Sequence, residues 1–356
     1  HDQLLVIQSS FVNIKDAPYY AKGDGATADQ AKITTANAET NGVFYPAGVY
    51  VIAANTTISV PITMAPGARF KVSGGFVLTI NAPVYAGSRQ YIFEGASGAV
   101  AGTFGNVELW VDWFGAVPDT TISATPTGTD SGPAFNRALL AASNGGVKFG
   151  AVSANPGNYL IDTAVANSYP GVTLRGVGKY ITNLICKTGF SGFMVTMAGA
   201  GGPPCRVSGM GFTAAIGGAY AAGGLDVQAN GTFVSDVWAN GFAVGIQIAN
   251  TDCFLDEFAV ELNLAGVRIK SPHVNVSNGT LYGNQSVGLL VLDVPTLEFG
   301  AVTVSNVRST SDDASGYVVT NSSNVLFDSC TASHSNAGKY AASGFTIDGT
   351  SSDVHF

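Results

Sequence analysis

The sequence contains few charged residues. Asp, Glu, Lys and Arg make up 11% of its 356 residues, against about 25% in ordinary soluble domains. Apolar residues make up 46%, which excludes a disordered chain, because disorder requires high charge and few apolar residues. The low charge indicates that part of the outer surface is covered. We expect other copies of the chain, in a homotrimer with parallel axes, to cover it.

Basic charge, long apolar runs and metal-ligand spacings are also lacking. The net charge of −8 opposes nucleic acid binding, which needs a basic surface, and no apolar run is long enough to span a membrane. The cysteines and histidines have none of the spacings typical of metal sites, and no glycine-rich phosphate loop is present. We therefore expect no nucleic acid partner, no membrane insertion, no metal and no cofactor. Buried free thiols are expected at Cys186, Cys205, Cys253 and Cys330.

Helical signal is confined to two short segments, at residues 29–39 and 130–143. In the second, Asp130 or Ser131 can cap the helix and Pro133 suits its first turn. The rest of the chain reads as short strands separated by Gly, Asn, Asp and Ser, which predicts an all-β protein. The second helix also has one apolar stripe at helical spacing, formed by Phe135, Ala138, Leu139 and Ala142.

Strand signals repeat along the second half of the chain. Segments of the form Gly-apolar-x-apolar follow one another at intervals of 21, 21, 22, 28 and 28 residues, and they begin at Gly224, Gly245, Gly266, Gly288, Gly316 and Gly344. A second strand keeps step with them and begins at Val234, Leu255, Val276, Val304 and Phe327. Two strands per period of about 20 to 30 residues, without helices between them, indicate a β-solenoid. The period is too long for hexapeptide repeats and lacks leucine-rich spacing, so a right-handed parallel β-helix is predicted.

A polar pair follows the first apolar residue of each second strand. One interpretation is a ladder of turn residues whose side chains bond neighbouring backbone groups. The other is a row of carboxylates that face a groove, and the sequence leaves both open. The pairs are Ser235-Asp236, Asp256-Glu257, Ser277-Asn278, Ser305-Asn306 and Asp328-Ser329.

One motif occurs twice and carries a resemblance to a known family. AKGDGATAD (21–29), the first helix and VFYPAGVY (43–50) resemble the lead-in motif of phage tailspikes and related polysaccharide-degrading proteins of the pectate-lyase-like superfamily. A weaker copy starts at WFGA (113–116), runs through the second helix and ends at PGNY (156–159). It lacks the Gly-Asp-Gly step and has an insertion at 118–127. In both copies a helix is expected to cover the open end of a solenoid core.

The resemblance implies an architecture and a function. It implies a small β-rich N-terminal domain with the first lead-in motif at 1–108, and a parallel β-helix with the second capping helix at 109–356. It implies a tailspike-type protein, on a virion tail or otherwise extracellular, that binds and cleaves a bacterial surface polysaccharide. The last residues, SSDVHF, repeat the strand pattern, so we expect the solenoid to continue beyond Phe356. The resemblance identifies no catalytic residues in this chain, because members of the superfamily place their catalytic acids and bases at different positions.

Candidate site residues come from the solenoid itself. Glu261 follows a strand, and the 21-residue register places it beside Asn240 and Tyr282. Asp312 and Asp313 are adjacent, and neighbouring carboxylates can push their pKa values apart, which suits an acid and a base. These three carboxylates are the predicted catalytic residues. Arg308, assigned with Asp312 and Asp313 to one long turn, is predicted to bind an acidic substituent, and Trp238, Asn240, Tyr282 and His334 are predicted to bind substrate.

Three functions remain open at this stage. Glycoside hydrolysis needs two carboxylates beside the scissile bond, and it is favoured because acidic residues outnumber the candidate lyase bases in the solenoid. Elimination by a polysaccharide lyase needs instead a base beside a neutralised uronate. A β-helix without catalytic activity, which binds glycan or extends a fibre, would show the same low charge and polar ladders.

Overall fold

The computed structural model describes residues 11–95, 99–105, 108–143, 150–199, 201–216, 222–294, 301–310, 312, 315–333 and 343–356. It divides into two compact units. The first comprises His1–Ala116 and Ala134–Asn155, and the second comprises Val117–Pro133 and Pro156–Phe356. The sequence-based boundary at 108/109 stays a prediction, and this division differs from it by assigning most of the second helix to the first unit. Within the described residues, no helix is long and apolar enough to cross a membrane.

The first unit consists of short strands and little helix. Helix α1 (Gln30–Ala36) and the 3-10 helix Val111–Phe114 belong to it, and helix α2 (Gly132–Ser143) begins in the second unit and continues into the first. Its strands are β1 (Val12–Asn13), β2 (Asp24–Ala28), β3 (Val43–Tyr45), β4 (Gly48–Ile52), β5 (Thr56–Ile58), β6 (Ile62–Met64), β7 (Ala68–Val72), β8 (Val77–Ile80), β9 (Val84–Tyr85), β10 (Phe93–Glu94), β11 (Ala99–Ala101), β12 (Glu108–Trp110) and β13 (Ala151–Ser153).

These strands form parallel ladders. Their order is β1-β3-β6-β9, β10-β7-β4-β2 and β11-β8-β5, and β12 pairs with β13. Neighbours pair in parallel throughout, for example Val43 with Ile62 and Leu78 with Val100. The β-rich first unit is therefore itself a short parallel solenoid. The sequence did not indicate this, because these coils lack the glycine repeat of the second half.

The second unit is a longer parallel solenoid. Its strands are β14 (Gly157–Ile161), β15 (Val165–Asn167), β16 (Thr173–Arg175), β17 (Thr182–Cys186), β18 (Gly192–Met197), β19 (Arg206–Thr213), β20 (Ala222–Val227), β21 (Phe233–Asn240), β22 (Val244–Ile248), β23 (Phe254–Asp256), β24 (Ala259–Glu261), β25 (Ala265–Ile269), β26 (Asn275–Tyr282), β27 (Val287–Leu292), β28 (Val302–Thr310), β29 (Ser315–Thr320), β30 (Ser323–Asp328), β31 (Thr331–Ser333), β32 (Ser343–Asp348) and β33 (Ser352–His355). The predicted parallel β-helix is confirmed.

The glycine repeat forms one column of this solenoid. Strands β20, β22, β25, β27, β29 and β32 pair in order, and their registers place each repeat glycine beside the next. A Cβ atom on Gly245 would lie 2.7 Å from the carbonyl oxygen of Gly266, and one on Gly266 would lie 2.5 Å from that of Gly288. Only glycine fits at these positions, because the backbone of the next coil occupies the space of a side chain.

The polar pairs form a ladder of turn residues, which is one of the two interpretations left open by the sequence, and the hydrogen bonds along it join side chain to side chain. Their second residues lie at left-handed φ angles of 49° at Asp236, 51° at Glu257 and 53° at Asn278. The Nδ2 atom of Asn278 donates to Asp256 Oδ1 at 2.8 Å, and Asn306 Nδ2 donates to Asn278 Oδ1 at 2.7 Å. Asn and Asp tolerate this conformation better than other non-glycine residues do. The ladder therefore bends one strand of every coil at the same place.

Both lead-in motifs form the predicted helix and the strand that follows it, although each helix is shorter than predicted. In the first copy, Asp24 accepts hydrogen bonds from the backbone of Ala26 and Thr27 and from the Thr27 hydroxyl. The amide groups of Thr27 and Ala26 lower the pKa of Asp24 to about 2. In the second copy, Asp130 plays a comparable part by accepting from the backbone of Gly132 at 3.0 Å and from Thr163 Oγ1 at 2.7 Å. The predicted apolar stripe of α2 is buried.

The cysteines are free thiols, and the predicted burial is confirmed for three of them and wrong for Cys330. Cys186, Cys205 and Cys253 are buried, and Cys330 is half-buried. Burial raises the pKa of Cys186 to about 12 and that of Cys253 to about 11. Because the thiolate is the reactive form, these side chains act as small core residues.

Candidate functional site

One outward face of the solenoid carries most of the described candidate residues. Strands β21, β24, β26 and β28 alternate between inward and outward side chains, as the period of two requires. Ala239, Val260 and Leu281 point into the core and are fully buried. Their neighbours on either side point outward, and we call the outward side chains of these four strands, together with Lys179 and Tyr180, the aromatic face.

The first column of the aromatic face contains the predicted neighbours of Glu261. Glu261 pairs with Asn240 in the preceding coil and with Tyr282 in the following one, and Tyr282 pairs with Thr310. The predicted register at this position is confirmed. Glu261 and Asn240 are half-buried, whereas Tyr282 is 48% exposed. A carboxylate is therefore held between an amide and an exposed aromatic ring.

The second column begins at a tryptophan and ends at an arginine. Trp238 pairs with Ala259, Ala259 with Thr280, and Thr280 with Arg308. Three coil spacings separate Trp238 from Arg308, which corresponds to roughly 14 Å along the solenoid axis. Arg308 is exposed, and its Nε atom donates to Thr310 Oγ1 at 3.2 Å. Between the two ends lie the smaller side chains of Ala259, which is buried, and Thr280, which is exposed.

Tyr180 and Lys179 reach this face from the loop before β17. The rings of Tyr180 and Trp238 have centroids 5.5 Å apart and are tilted by 56°, and Tyr180 is 58% exposed. Lys179 Nζ donates to the carbonyl oxygen of Glu257 at 2.8 Å and lies 3.6 Å from Asp236 Oδ1. The face thus combines two adjoining aromatic rings with charges of both signs.

Two carboxylates act on the Tyr180 hydroxyl. The pKa of Tyr180 is raised, first by partial burial and then by the negative charges of Glu261 and Asp236. The phenol therefore stays protonated at neutral pH and can donate a hydrogen bond.

Buried polar atoms without hydrogen bonds accompany this face. Among the described residues, Trp238 Nε1, Asn183 Oδ1 and Thr213 Oγ1 are buried and have no partner. Asn183 pairs with Gly211, and Gly211 pairs with Trp238, so these positions occupy consecutive coils. Unpaired buried groups cost about 1–3 kcal/mol each. Such groups are satisfied when water or a polar ligand binds beside them.

Asp312 occupies a different environment from the one expected for a catalytic group. It is 2% exposed, and its Oδ1 atom accepts hydrogen bonds from the backbone nitrogen and Nδ2 of Asn284 at 2.8 and 2.9 Å. Its Oδ2 atom accepts from the Ser309 hydroxyl. Asn284 in turn binds Asn263, whose Oδ1 accepts from the backbone of Phe242. Asp312 is thus part of an internal ladder, which we call the amide ladder, and it is not on the aromatic face.

Arg308 does not lie in a long turn, so that part of the prediction is wrong. It lies within β28 and pairs with Thr280 and Thr331. The longer coil has its extra residues between β27 and β28, which precede Arg308. Distances counted from glycine to glycine could not show on which side of the strand the insertion falls. Asp313 and His334 lie outside the described residues and stay predictions.

The sequence did not point to Lys179 and Tyr180. They belong to an early coil whose strands lack the glycine repeat, so no register connected them with Trp238. The structure pairs Asn183 with Gly211 and Gly211 with Trp238, at intervals of 28 and 27 residues. The same long period occurs in later coils, and a search for it upstream of Gly224 would have placed Tyr180 beside this face.

Solved structures that resemble this chain include polysaccharide-modifying and viral proteins. The A-module of the mannuronan C-5 epimerase AlgE4 from Azotobacter vinelandii aligns with a TM-score of 0.44 and 19% identity, covering 69% of this chain and 75% of that one. ORF18 of Geobacillus virus E2 aligns with a TM-score of 0.43 and 12% identity over 69% of this chain and 60% of its own. The Dettilon tailspike protein (gp208) aligns with a TM-score of 0.28 and 11% identity, covering 98% and 63%.

These similarities concern the fold. At such identities and scores they assign no reaction and no site residue to this chain. No protein-family model and no curated protein matches the sequence.

Proposed function

We propose that this chain binds a bacterial surface polysaccharide on its aromatic face and cleaves it by glycoside hydrolysis. The observation that carries the proposal is the pair of rings Tyr180 and Trp238, 5.5 Å apart, with Glu261 one coil further on, where it pairs with Asn240. Aromatic rings offer flat apolar surfaces for sugar rings, and a few polar groups fix the orientation. The protein would act on a virion tail or elsewhere outside the bacterial cell.

The two columns suit an extended chain of sugars. Tyr180 and Trp238 would hold one ring, and Tyr282 would support another two coils further on. Arg308, exposed at the far end of the second column, would bind an acidic substituent through its planar guanidinium group. The glycan would then run along the solenoid axis, past the smaller side chains of Ala259 and Thr280.

The chemistry would use two carboxylates. Hydrolysis needs one acid to protonate the leaving oxygen and a second carboxylate to activate water or attack the sugar. Glu261 would be the acid. Asp313, a sequence-based candidate, would be the second carboxylate, because Asp236 belongs to the turn ladder and is ion-paired with Lys179 at 3.6 Å. Asp312 is left out, because a buried and fully engaged side chain does not reach a surface ligand.

Substitution of Glu261 tests the catalytic part of the proposal. We expect Glu261→Gln to reduce turnover by about 10²-fold or more, because glutamine keeps the shape of the side chain but cannot donate the proton. The unfolding temperature should not change. The assay is the release of reducing ends from a panel of capsular and O-antigen polysaccharides.

The matched control is Glu257→Gln, which removes a carboxylate four residues away on the turn ladder and should leave turnover within a few-fold of the wild type. Products that absorb in the ultraviolet contain an unsaturated uronate. They would show that the chain is cleaved by elimination and not by hydrolysis. A polysaccharide that is bound but not cut would contradict enzymatic activity and indicate a binding module. Equal losses of turnover in the Glu261→Gln and Glu257→Gln proteins would contradict the assignment of Glu261 as the catalytic acid.

Substitution of Tyr180 tests the binding surface separately from catalysis. Tyr180→Ala should weaken polysaccharide binding by about fivefold or more, because burying a large apolar side chain contributes at least about 1 kcal/mol. Binding is measured by calorimetry with the Glu261→Gln protein, so that the ligand stays intact. Tyr20, which is 62% exposed in the first unit, supplies the control Tyr20→Ala, and equal affinities in the two variants would contradict the assigned surface.

The proposed assembly is a homotrimer. Beyond the low charge of the chain, an apolar stack supports it: the rings of Phe233 and Phe254 lie 4.6 Å apart at 4° and are 37% and 38% exposed. Arg206 covers Phe233 from the other side at 5.1 Å. Light scattering should give three times the mass of 36.3 kDa, and a monomer mass would contradict the proposal.

A further inference from the structure

A row of polar side chains lies on the outward side of the other long sheet of the solenoid. This sheet contains the strands β20, β22, β25, β27 and β29. Asp226, Gln247 and Arg268 pair with one another in successive coils. They point away from the core, because side chains alternate along a strand and the residues that precede them are fully buried. Those buried residues are Leu225, Ile246 and Val267.

Three hydrogen bonds fix this row. Gln247 Nε2 donates to Asp226 Oδ1 at 2.8 Å, and Gln228 Nε2 donates to Asp226 Oδ2 at 2.6 Å. Arg268 Nε donates to Gln247 Oε1 at 2.7 Å. Asp226 is 3% exposed and Gln247 is 8% exposed. The carboxylate therefore orients the Gln247 amide, and the amide oxygen in turn orients the guanidinium group, because an amide nitrogen donates and an amide oxygen accepts.

The far edge of the Arg268 guanidinium is available to a ligand. A guanidinium group has five N–H donors in one plane, and the hydrogen bond to Gln247 uses the donor at Nε. Arg268 is half-buried, and within the described part of the chain no carboxylate forms an ion pair with it. The two Nη groups can therefore donate side by side to two oxygens of a carboxylate or a phosphate.

A second cation lies beside the first. Lys270 follows Arg268 by two residues and is exposed on the same side of the strand. Its backbone nitrogen donates to the carbonyl oxygen of Ile248 at 2.9 Å, which continues the ladder. Lys270 also forms no ion pair with a described residue. Asp226 lies two coil spacings from Arg268, roughly 10 Å, so this is a positive surface on a chain of net charge −8.

Apolar side chains adjoin the two cations in the following coils. Arg268 pairs with Leu290, and Leu290 pairs with Val318. Both apolar side chains are half-buried on the outward side of the sheet. Ligand sites combine an apolar surface with a few placed polar groups. This surface therefore suits an anionic group that is attached to a body with an apolar face, as in an acidic sugar.

We propose that Arg268 and Lys270 bind the anionic group of an acidic saccharide, a carboxylate or a phosphate, and that Leu290 and Val318 contact its sugar ring. Gln247 and Asp226 are positioning residues, because they hold the guanidinium group in place before the ligand arrives and so reduce the entropy that binding costs. The site does not rest on the proposed hydrolysis, since it shares no residue and no strand with the aromatic face.

Calorimetry with trigalacturonate and with glucose 6-phosphate tests the site and distinguishes the two anions. The protein used carries Glu261→Gln and Arg308→Met, which remove the proposed catalytic acid and the cation of the aromatic face. We expect it to bind at least one of the two anions, and binding of only one would identify the group. Maltotriose, which has no charge, should bind about tenfold more weakly, and added salt should weaken binding of the anions.

Further variants in this background identify the residues. Adding Arg268→Met should weaken binding of the anion by about tenfold, and Arg268→Lys should restore part of the loss, because lysine keeps the charge without the planar fork. The matched control is Lys71→Met, which removes an exposed cation of the first unit and should leave the affinity unchanged. Lys270→Met changes an exposed side chain, so it tests the site without risk to folding and should cost about threefold.

Three results would overturn the proposal. The first is the absence of binding of both anions at millimolar concentration. The second is binding of maltotriose as tightly as the anions. The third is equal affinity in the Arg268→Met and Lys71→Met proteins when their thermal midpoints are unchanged, or in the Lys270→Met and Lys71→Met proteins when Arg268→Met is destabilised. Failure of hydrolysis at the aromatic face would leave all of these measurements unaffected, because the background protein already lacks the Glu261 carboxylate.

Discussion

Replacement of Asp312 by alanine is expected to destabilise the chain by about 3 kcal/mol. The change removes the acceptor for the backbone nitrogen and Nδ2 of Asn284 and for the Ser309 hydroxyl. All three groups lie in the core, where an unpaired donor keeps its full cost of desolvation. The loss is measured as a shift of the chemical denaturation curve.

Asp312→Asn is the matched variant that separates a structural role from a catalytic one. Asparagine keeps an Oδ1 acceptor for Asn284, so the amide ladder can continue and the loss of stability should be less than half of that in the alanine variant. Turnover per folded molecule should be unchanged. A stable Asp312→Asn protein that has lost activity would contradict the ladder assignment and restore the catalytic prediction made from the sequence.

Replacement of Gly266 by alanine is expected to cost about 3 kcal/mol. The new Cβ would lie 2.5 Å from the carbonyl oxygen of Gly288, 3.0 Å from Val260 Cγ2 and 3.1 Å from Asn284 Nδ2. A backbone oxygen that is fixed by the sheet cannot move aside as the end of a flexible side chain can. The coil would have to separate from its neighbour or shift the amide ladder.

Gly344→Ala provides the control within the same column. At this position the nearest atom to a new Cβ is the Ala332 Cβ at 3.3 Å, a contact that a small shift relieves. Thermal denaturation should show a loss for Gly344→Ala of less than about 1 kcal/mol. Equal losses at the two positions would mean that the column is not held by backbone contact.

The repeat pattern was sufficient to predict the solenoid and much of its register. The glycine repeat and the second strand keep step, and side chains alternate with a period of two, so Glu261 had to meet Asn240 and Tyr282. This inference needed only the alternation of side chains along a strand and the repeat interval between equivalent positions of successive coils. Both can be read directly from the sequence.

The amide ladder shows where that reasoning ended. Asn263 precedes its repeat glycine by three residues, whereas Asn284 and Asp312 precede theirs by four, and the residue type changes from amide to carboxylate. The shift hides the column in a repeat alignment. Asp312 therefore looked like an isolated acid beside Asp313, although it is the third member of a buried series.

Tyr180 shows a second limit. Its contact with Trp238 depends on a loop that crosses from an early coil, and side chains in loops follow no period. The sequence contained the ring but no distance to another ring.

The strand register stays constant across coils of unequal length, and this determines where residues can be inserted into such a chain. Gly266 pairs with Gly288 after 22 residues, and Gly288 pairs with Gly316 after 28, yet the strands on both sides stay aligned. Added residues are thus absorbed between β27 and β28 without displacing the next coil. New loops can accordingly be inserted at such corners in evolution or by design, one coil at a time, while the interior sequence stays the same.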